Sequence, residues 1–271
     1  MTGISPLTQA IARQTSQGRP ALIPFLTAGC PEPATFFGHL AELADNGADI
    51  IEIGLPFSDP VADGPVIAAA SQEALARGVD LRWLIQGLQK NPIGVPLVLM
   101  SYANPLARHG WAQSSGPTLK ARIRESLALL GSELKPLNFA GAVIPDIPLE
   151  EAAPFREGLN ANALDLIPLV GPNTARERME EYRAVAQGYV YVVSVLGTTG
   201  ARDGLPPEAV ATLQRAREVF ALPLALGFGL KHPSQLEDFK TRPDAVIFGS
   251  ALIKHLRGGG TAREFMSPWL N

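Results

Sequence analysis

The sequence predicts the α/β class and, within it, a single-domain (β/α)₈ barrel of the TIM type. Three observations predict it. Short runs that are apolar at nearly every position recur at fairly even intervals, as strands covered on both faces do. Helix-like segments separate them, and alternating strand and helix builds right-handed βαβ units into a parallel sheet. About eight such units in 271 residues match the count and size of a closed barrel. An open doubly wound sheet would place a Gly-rich fingerprint after its first strand, and "TAGCPEPAT" is not one.

The elements follow in order. Ser5 as cap, Pro6 at the first helical position and Gly18 past the end mark an N-terminal helix at about 5–17. The strands are "ALIPFLT" from Ala21, "ADIIEIGL" from Ala48, "PLVLMSYAN" from Pro96 and "FAGAVIPDIP" from Phe139. "ALDLIPLVGP" from Ala163, "YVYVVSV" from Tyr189, "LPLALGFG" from Leu222 and "DAVIFGS" from Asp244 complete the set. Helical patterns cover Ala34 to Asn46, Val66 to Arg77, Leu149 to Asn160, Ala175 to Gln187 and Pro207 to Phe220. No linker or low-complexity tract interrupts residues 1–271, so one domain is expected. The connection at about 106–138 is long for one barrel loop and helix. It holds "QSSGPT" and then "LKARIRESLALLGSELK", with Leu119, Ile123, Leu127 and Leu130 at helical spacing.

Composition narrows the function. A formal charge of -3 offers no basic surface for nucleic acid or membrane phosphates. Cys30 is the only cysteine, so no internal disulfide can form and a reducing cytoplasm fits. The N-terminus has no basic-then-apolar signal pattern, and no apolar run approaches a membrane span.

The carboxylates are the informative residues. Glu52 stands among Ile50, Ile51, Ile53 and Leu55, near the C-terminal end of a strand, where barrels of this type carry their active sites. A carboxylate there must be paired, hydrated or neutralised. One reading is a structural ion pair, but no Lys or Arg lies in the strand segments up to Tyr102. The other is a general acid/base whose pKa is raised by apolar neighbours. Asp63 precedes Gly64, Pro65 and a helical run, so it is either a helix cap or a second site carboxylate. Asp59, before Pro60, reads as a turn residue, and Asp146 in "VIPDIP" ends the fourth strand as either turn or site.

Glycines cluster at three late strand ends: Gly197 to Gly200, Gly227 to Gly229, and Gly249 with Ser250. Glycine lets backbone N–H groups approach phosphate oxygens, and Ser250 opens an apparent helix whose end adds positive potential. "GTTGARDGLPP" is long, small and polar, which suits a lid. The four histidines are scattered without ligand spacing, so no metal site is expected. No lysine lies inside a strand to form a Schiff base, and there is no G-x-S-x-G or Walker sequence. Carboxylate acid–base chemistry on a phosphorylated small molecule remains.

The motifs "EIGLPFSDPVADGP", "VIPDIPLEE", "SVLGTTGAR", "GFGL" and "FGSALIK" resemble the α subunit of tryptophan synthase in order and spacing over nearly the whole chain. The resemblance implies a lyase of tryptophan biosynthesis that splits indole-3-glycerol phosphate into indole and glyceraldehyde 3-phosphate. It implies Glu52 and Asp63 as catalytic carboxylates and Tyr191 as the active-site tyrosine. Thr199 falls on the lid threonine, Phe25 on the indole pocket, and Gly200, Gly229, Gly249 and Ser250 on the phosphate site. It further implies an α₂β₂ complex in the cytoplasm, with pyridoxal phosphate on the β subunit and no cofactor on this one. The segment from Trp111 to Asn138 is longer than the family usually has, on the side that meets the β subunit. The rival readings are a sugar-phosphate isomerase or epimerase, and a non-catalytic subunit that only activates a β partner.

Overall fold

The computed structural model describes residues 3–193, 207–227, 232–236 and 242–270. Its parallel strands are β1 (Ala21–Thr27), β2 (Ile51–Gly54), β3 (Leu97–Met100), β4 (Phe139–Val143), β5 (Asp165–Ile167), β6 (Leu169–Val170), β7 (Val190–Val193), β8 (Leu224–Gly227) and β9 (Ala245–Phe248). The order around the wall is β5-β4-β3-β2-β1-β9-β8-β7-β6. The two ends of that order, β5 and β6, are halves of one stave separated by Pro168 alone. Pro168 has no N–H to give a ladder, so the stave pairs with β4 before it and β7 after it. Its carbonyl still accepts from the Tyr191 N–H at 2.9 Å. The nine segments thus close an eight-stave barrel, and "ALDLIPLVGP" is a strand broken at its proline.

Register sets which side chains face the interior. Phe25 of β1 lies opposite Glu52 of β2, and Glu52 opposite Val98 of β3. β1 is buried at all seven positions, as a strand covered on both faces must be. Helices α2 (Pro33–Asp45), α3 (Pro65–Ala76), α4 (Leu81–Lys90), α9 (Pro207–Val219) and α10 (Ser250–Arg257) form part of the outer layer.

Helix α1 (Pro6–Thr15) closes the N-terminal end of the barrel. The Ser5 hydroxyl caps it, accepting from the Leu7 N–H at 3.1 Å, and also donates to the Asp165 carboxylate. Thr8 donates to the Gly188 carbonyl at 2.5 Å. A Cβ at Gly188, whose φ is +69°, would lie 2.9 Å from the Asp165 carboxylate and 3.3 Å from Leu7, so only glycine fits the seam.

Between β3 and β4 the chain forms α5 (Ala103–His109), an irregular loop, and α6 (Leu119–Leu134). The loop is fastened from below. Glu125 accepts from the Ser115 and Gly116 N–H groups at 2.8 and 3.0 Å, and the Arg122 guanidinium lies 3.7 Å over the Trp111 ring. Leu127 and Leu130 are buried against the barrel and α7 (Ala153–Asn160), but Leu119 is 65% exposed, so the apolar spacing overreached by one turn.

Candidate active site

Glu52 points into the barrel from β2 and is fully buried. Among the described residues, neither carboxylate oxygen has a hydrogen-bond partner and no cation offsets the charge. The structural ion-pair reading therefore fails. Burial pushes its pKa up to about 8, with the negative charge of Asp63 adding to the effect. The shift favours the protonated carboxylic acid at neutral pH.

Asp63 stands on the loop between β2 and α3, and burial raises its pKa to about 6. It does not cap α3, whose cap position is Gly64 with no side-chain bond. It meets Tyr102 instead. The Tyr102 hydroxyl donates to the Asp63 carboxylate, which draws the Asp63 pKa back down, and accepts from the Ala62 N–H at 2.9 Å. The Phe57 ring stacks on Tyr102 at 4.9 Å between centroids. One phenol at the end of β3 thus holds the loop that carries Asp63. Sequence reasoning did not single out Tyr102. Its only signal was position, an aromatic residue with a hydroxyl directly after a buried strand.

Two other carboxylates hold loops, and the charge of Asp146 also reaches Tyr102. Asp59 is exposed and accepts from its neighbour Ser58 at 2.6 Å. Asp146 accepts from the Ala103 N–H at 2.9 Å, which anchors the first turn of α5 on a favourable negative charge.

Tyr191 reaches inward from β7 and is buried. A Cβ at Gly227 would lie 2.5 Å from its hydroxyl, so that glycine makes room for the phenol. Burial raises the Tyr191 pKa well above the usual value, and the charges of Glu52 and Asp63 raise it further. Tyr189 is fully buried, and its pKa too is raised by burial and by Glu52; its hydroxyl has no partner among the described residues. Phe25 is buried against two glycines: a Cβ at Gly54 would lie 2.5 Å from its ring and one at Gly249 2.8 Å. Gly249 thus serves packing as well as backbone exposure. It precedes α10, which opens at Ser250 with no side-chain cap on its first N–H groups. Thr199, Gly200 and Gly229 lie outside the described residues.

Glu52, Asp63, Tyr102, Phe25 and Tyr191 therefore converge at the C-terminal ends of the strands, with Gly249 and Ser250 at the rim beside Phe25. Among the described residues, no group of three or more His, Cys, Asp or Glu side chains could hold a metal ion. No helix among them is long and apolar enough to cross a membrane.

A parallel barrel with two neighbouring carboxyl groups of raised pKa at the C-terminal ends of its strands defines a barrel enzyme of acid–base type. The family model described as "Tryptophan synthase alpha chain" matches residues 11–266. A tryptophan synthase alpha chain of Nitratidesulfovibrio vulgaris (strain DP4) is 53% identical over 267 residues, covering 98% of each chain. One from Carboxydothermus hydrogenoformans is 40% identical, covering 93% of this chain and 89% of that one. Among solved structures, tryptophan synthase from M. tuberculosis, in an open form with BRD0059 bound, superposes with a TM-score of 0.82 at 28% identity, covering 98% and 97% of the two chains. The alpha subunit from Legionella pneumophila gives 0.78 at 27% identity, with 97% and 95% covered.

The chain belongs to the tryptophan synthase alpha chain family. It is a lyase of tryptophan biosynthesis, and its reaction is the alpha reaction, the retro-aldol cleavage of indole-3-glycerol phosphate to indole and glyceraldehyde 3-phosphate. Membership implies a β-chain partner.

Proposed function

We propose that Glu52 and Asp63 divide the proton and charge work of the alpha reaction between them. Breaking the carbon–carbon bond needs the indole ring as an electron sink. Glu52, protonated at neutral pH, donates its proton to ring carbon C3. The resulting carboxylate then takes the proton of the glycerol hydroxyl beside the breaking bond. The bond electrons return to the ring, the hydroxyl carbon becomes the aldehyde, and Glu52 ends protonated as it began. Protonation at C3 places positive charge on the ring nitrogen. Asp63, ionised above about pH 6, stabilises that charge as it develops. Tyr102 holds Asp63 in place, Phe25 lines the apolar pocket for the ring, and Tyr191 lies on the opposite wall.

The phosphate is assigned to Gly200, Gly229, Gly249 and Ser250. The uncapped start of α10 supports this, since free N–H groups there attract an anion. Thr199 is assigned to a lid that closes onto Asp63. All proton transfers fall to side chains of this chain, so no cofactor is assigned to it, and pyridoxal phosphate is assigned to the β chain. The assembly proposed is α₂β₂ in the cytoplasm.

The observation that carries this reading is two neighbouring carboxyl groups in one site, Glu52 fully buried without a hydrogen-bond partner among the described residues and Asp63 held by Tyr102, with pKa values raised to about 8 and about 6. Asp63→Asn keeps the shape and removes the charge. Indole release should fall by roughly 10²–10³, the scale of one lost electrostatic stabiliser. Near-normal turnover would refute the assignment.

A further inference from the structure

Outside the active site, beside the break in the barrel wall, lies a crevice of about 140 Å³ lined mostly by apolar side chains. It lies behind Pro168, between the end of β4 and helices α7 and α8 (Arg176–Arg183), and shares no lining residue with the site around Glu52. Both helices are only eight residues long, too short to cover a stave whose two halves pair with different neighbours.

Its chemistry is specific. The walls include the rings of Pro145, Pro168 and Tyr182 with Ile147 and Leu166, flat and CH-rich surfaces that suit an aromatic face. The volume is that of a single ring; an engineered apolar cavity of about 150 Å³ in another protein binds benzene. Arg156 also lines the crevice and is half-buried. Three other arginines stand on these helices, and each has a carboxylate partner: Arg176 with Glu218, Arg178 with Glu150, and Arg183 with Glu180. The Arg156 guanidinium has no hydrogen bond or ion pair among the described residues, and the adjacent Glu157 pairs with Arg124. A half-buried arginine with no anion among the described residues, lining a largely apolar slot, is a half-built carboxylate site.

We infer that the crevice behind Pro168 binds a small monocyclic aromatic carboxylate, its ring between Tyr182 and the two prolines and its carboxylate on Arg156. The site is separate from the substrate site.

The test uses the full chain and fluorine NMR with para-fluorobenzoate and its neutral counterpart para-fluorobenzamide. Wild type should bind the acid saturably and more tightly than the amide. Arg156→Gln should weaken the acid by about tenfold or more, the scale of a charge-assisted hydrogen bond, and leave the amide unchanged. Ala186→Leu, which fills the crevice, should abolish both. Arg156 has no partner to lose among the described residues, so its variant should keep the fold and decides the question even if Ala186→Leu does not fold. Indole formation should continue at saturating para-fluorobenzoate without a rise in KM. Equal acid binding by wild type and Arg156→Gln would overturn the proposal. So would inhibition competitive with indole-3-glycerol phosphate, which would place the acid in the substrate site.

Discussion

Two carboxylates at opposite ends of one barrel, Glu52 fully buried and Asp165 half-buried, differ in what surrounds them. Asp165, at the N-terminal end, has its pKa raised by burial but receives a hydrogen bond from Ser5 and lies near Lys135. Glu52, at the other end, has neither a donor nor a cation among the described residues, only a second carboxylate nearby. Asp165 ties α1 across the barrel floor. Glu52 is held by its strand and by nothing polar. A pKa raised by burial therefore does not by itself distinguish Glu52; complete burial with no hydrogen-bond partner or cation among the described residues does, and such a group is costly to fold.

Exchanging each carboxylate for its amide sharpens the contrast most. Glu52→Gln should lower kcat by ~10²–10⁴, the usual scale for a positioned acid/base, while Asp165→Asn should leave kcat per folded molecule unchanged. Stability should move the opposite way. The Glu52 pKa rises from 4.5 to about 8 on folding, so the folded state binds the proton more tightly. That contribution is fully present below the unfolded value and is lost as pH rises through the folded one. Denaturation at several pH values should show the advantage of Glu52→Gln over wild type growing toward pH 8. An advantage that does not change with pH would break the comparison.

Tyr102→Phe probes how the reactive end is held. It removes the donor that keeps the Asp63 pKa down and the acceptor for the Ala62 N–H. We expect kcat to fall about tenfold, the worth of one hydrogen bond to a charged group. The pH–rate profile of wild type should rise through about 6, as Asp63 ionises, and fall through about 8, as Glu52 loses its proton. In Tyr102→Phe the rising limb should move to higher pH. A drop in rate with an unmoved limb would mean that Tyr102 acts on something other than Asp63.

Ser5→Ala tests the quiet end. It removes a helix cap and the Asp165 donor together, so stability should fall by roughly 1–3 kcal/mol with the pH–rate profile unchanged. A displaced profile would mean that the two ends are coupled through the barrel.

The two ends also differed in how far the sequence revealed them. Glu52 was legible because a strand makes its neighbours apolar, and one acid among Ile50, Ile51, Ile53 and Leu55 breaks a local pattern. The barrel was legible for the same reason, stave by stave. Asp165 in "ALDLIPLV" broke its pattern too, but what distinguishes it is Ser5, 160 residues away, and that contact exists only after folding. Tyr102 was missed on similar grounds: it sits 40 residues from the Ala62 N–H it receives. Leu119 fitted a helical spacing and is nevertheless exposed, because periodicity gives a face and not where along the helix its cover ends.

The central claim is that Glu52 holds a proton at neutral pH in the free protein. Infrared difference spectroscopy of wild type against Glu52→Gln observes this directly, through the carbonyl stretch of a protonated carboxyl group. That band should be present at pH 7, absent from the variant, and titrate away as pH passes about 8. A carboxylate signal at pH 7, with the protonated band appearing only near the ordinary value of 4.5, would contradict the claim.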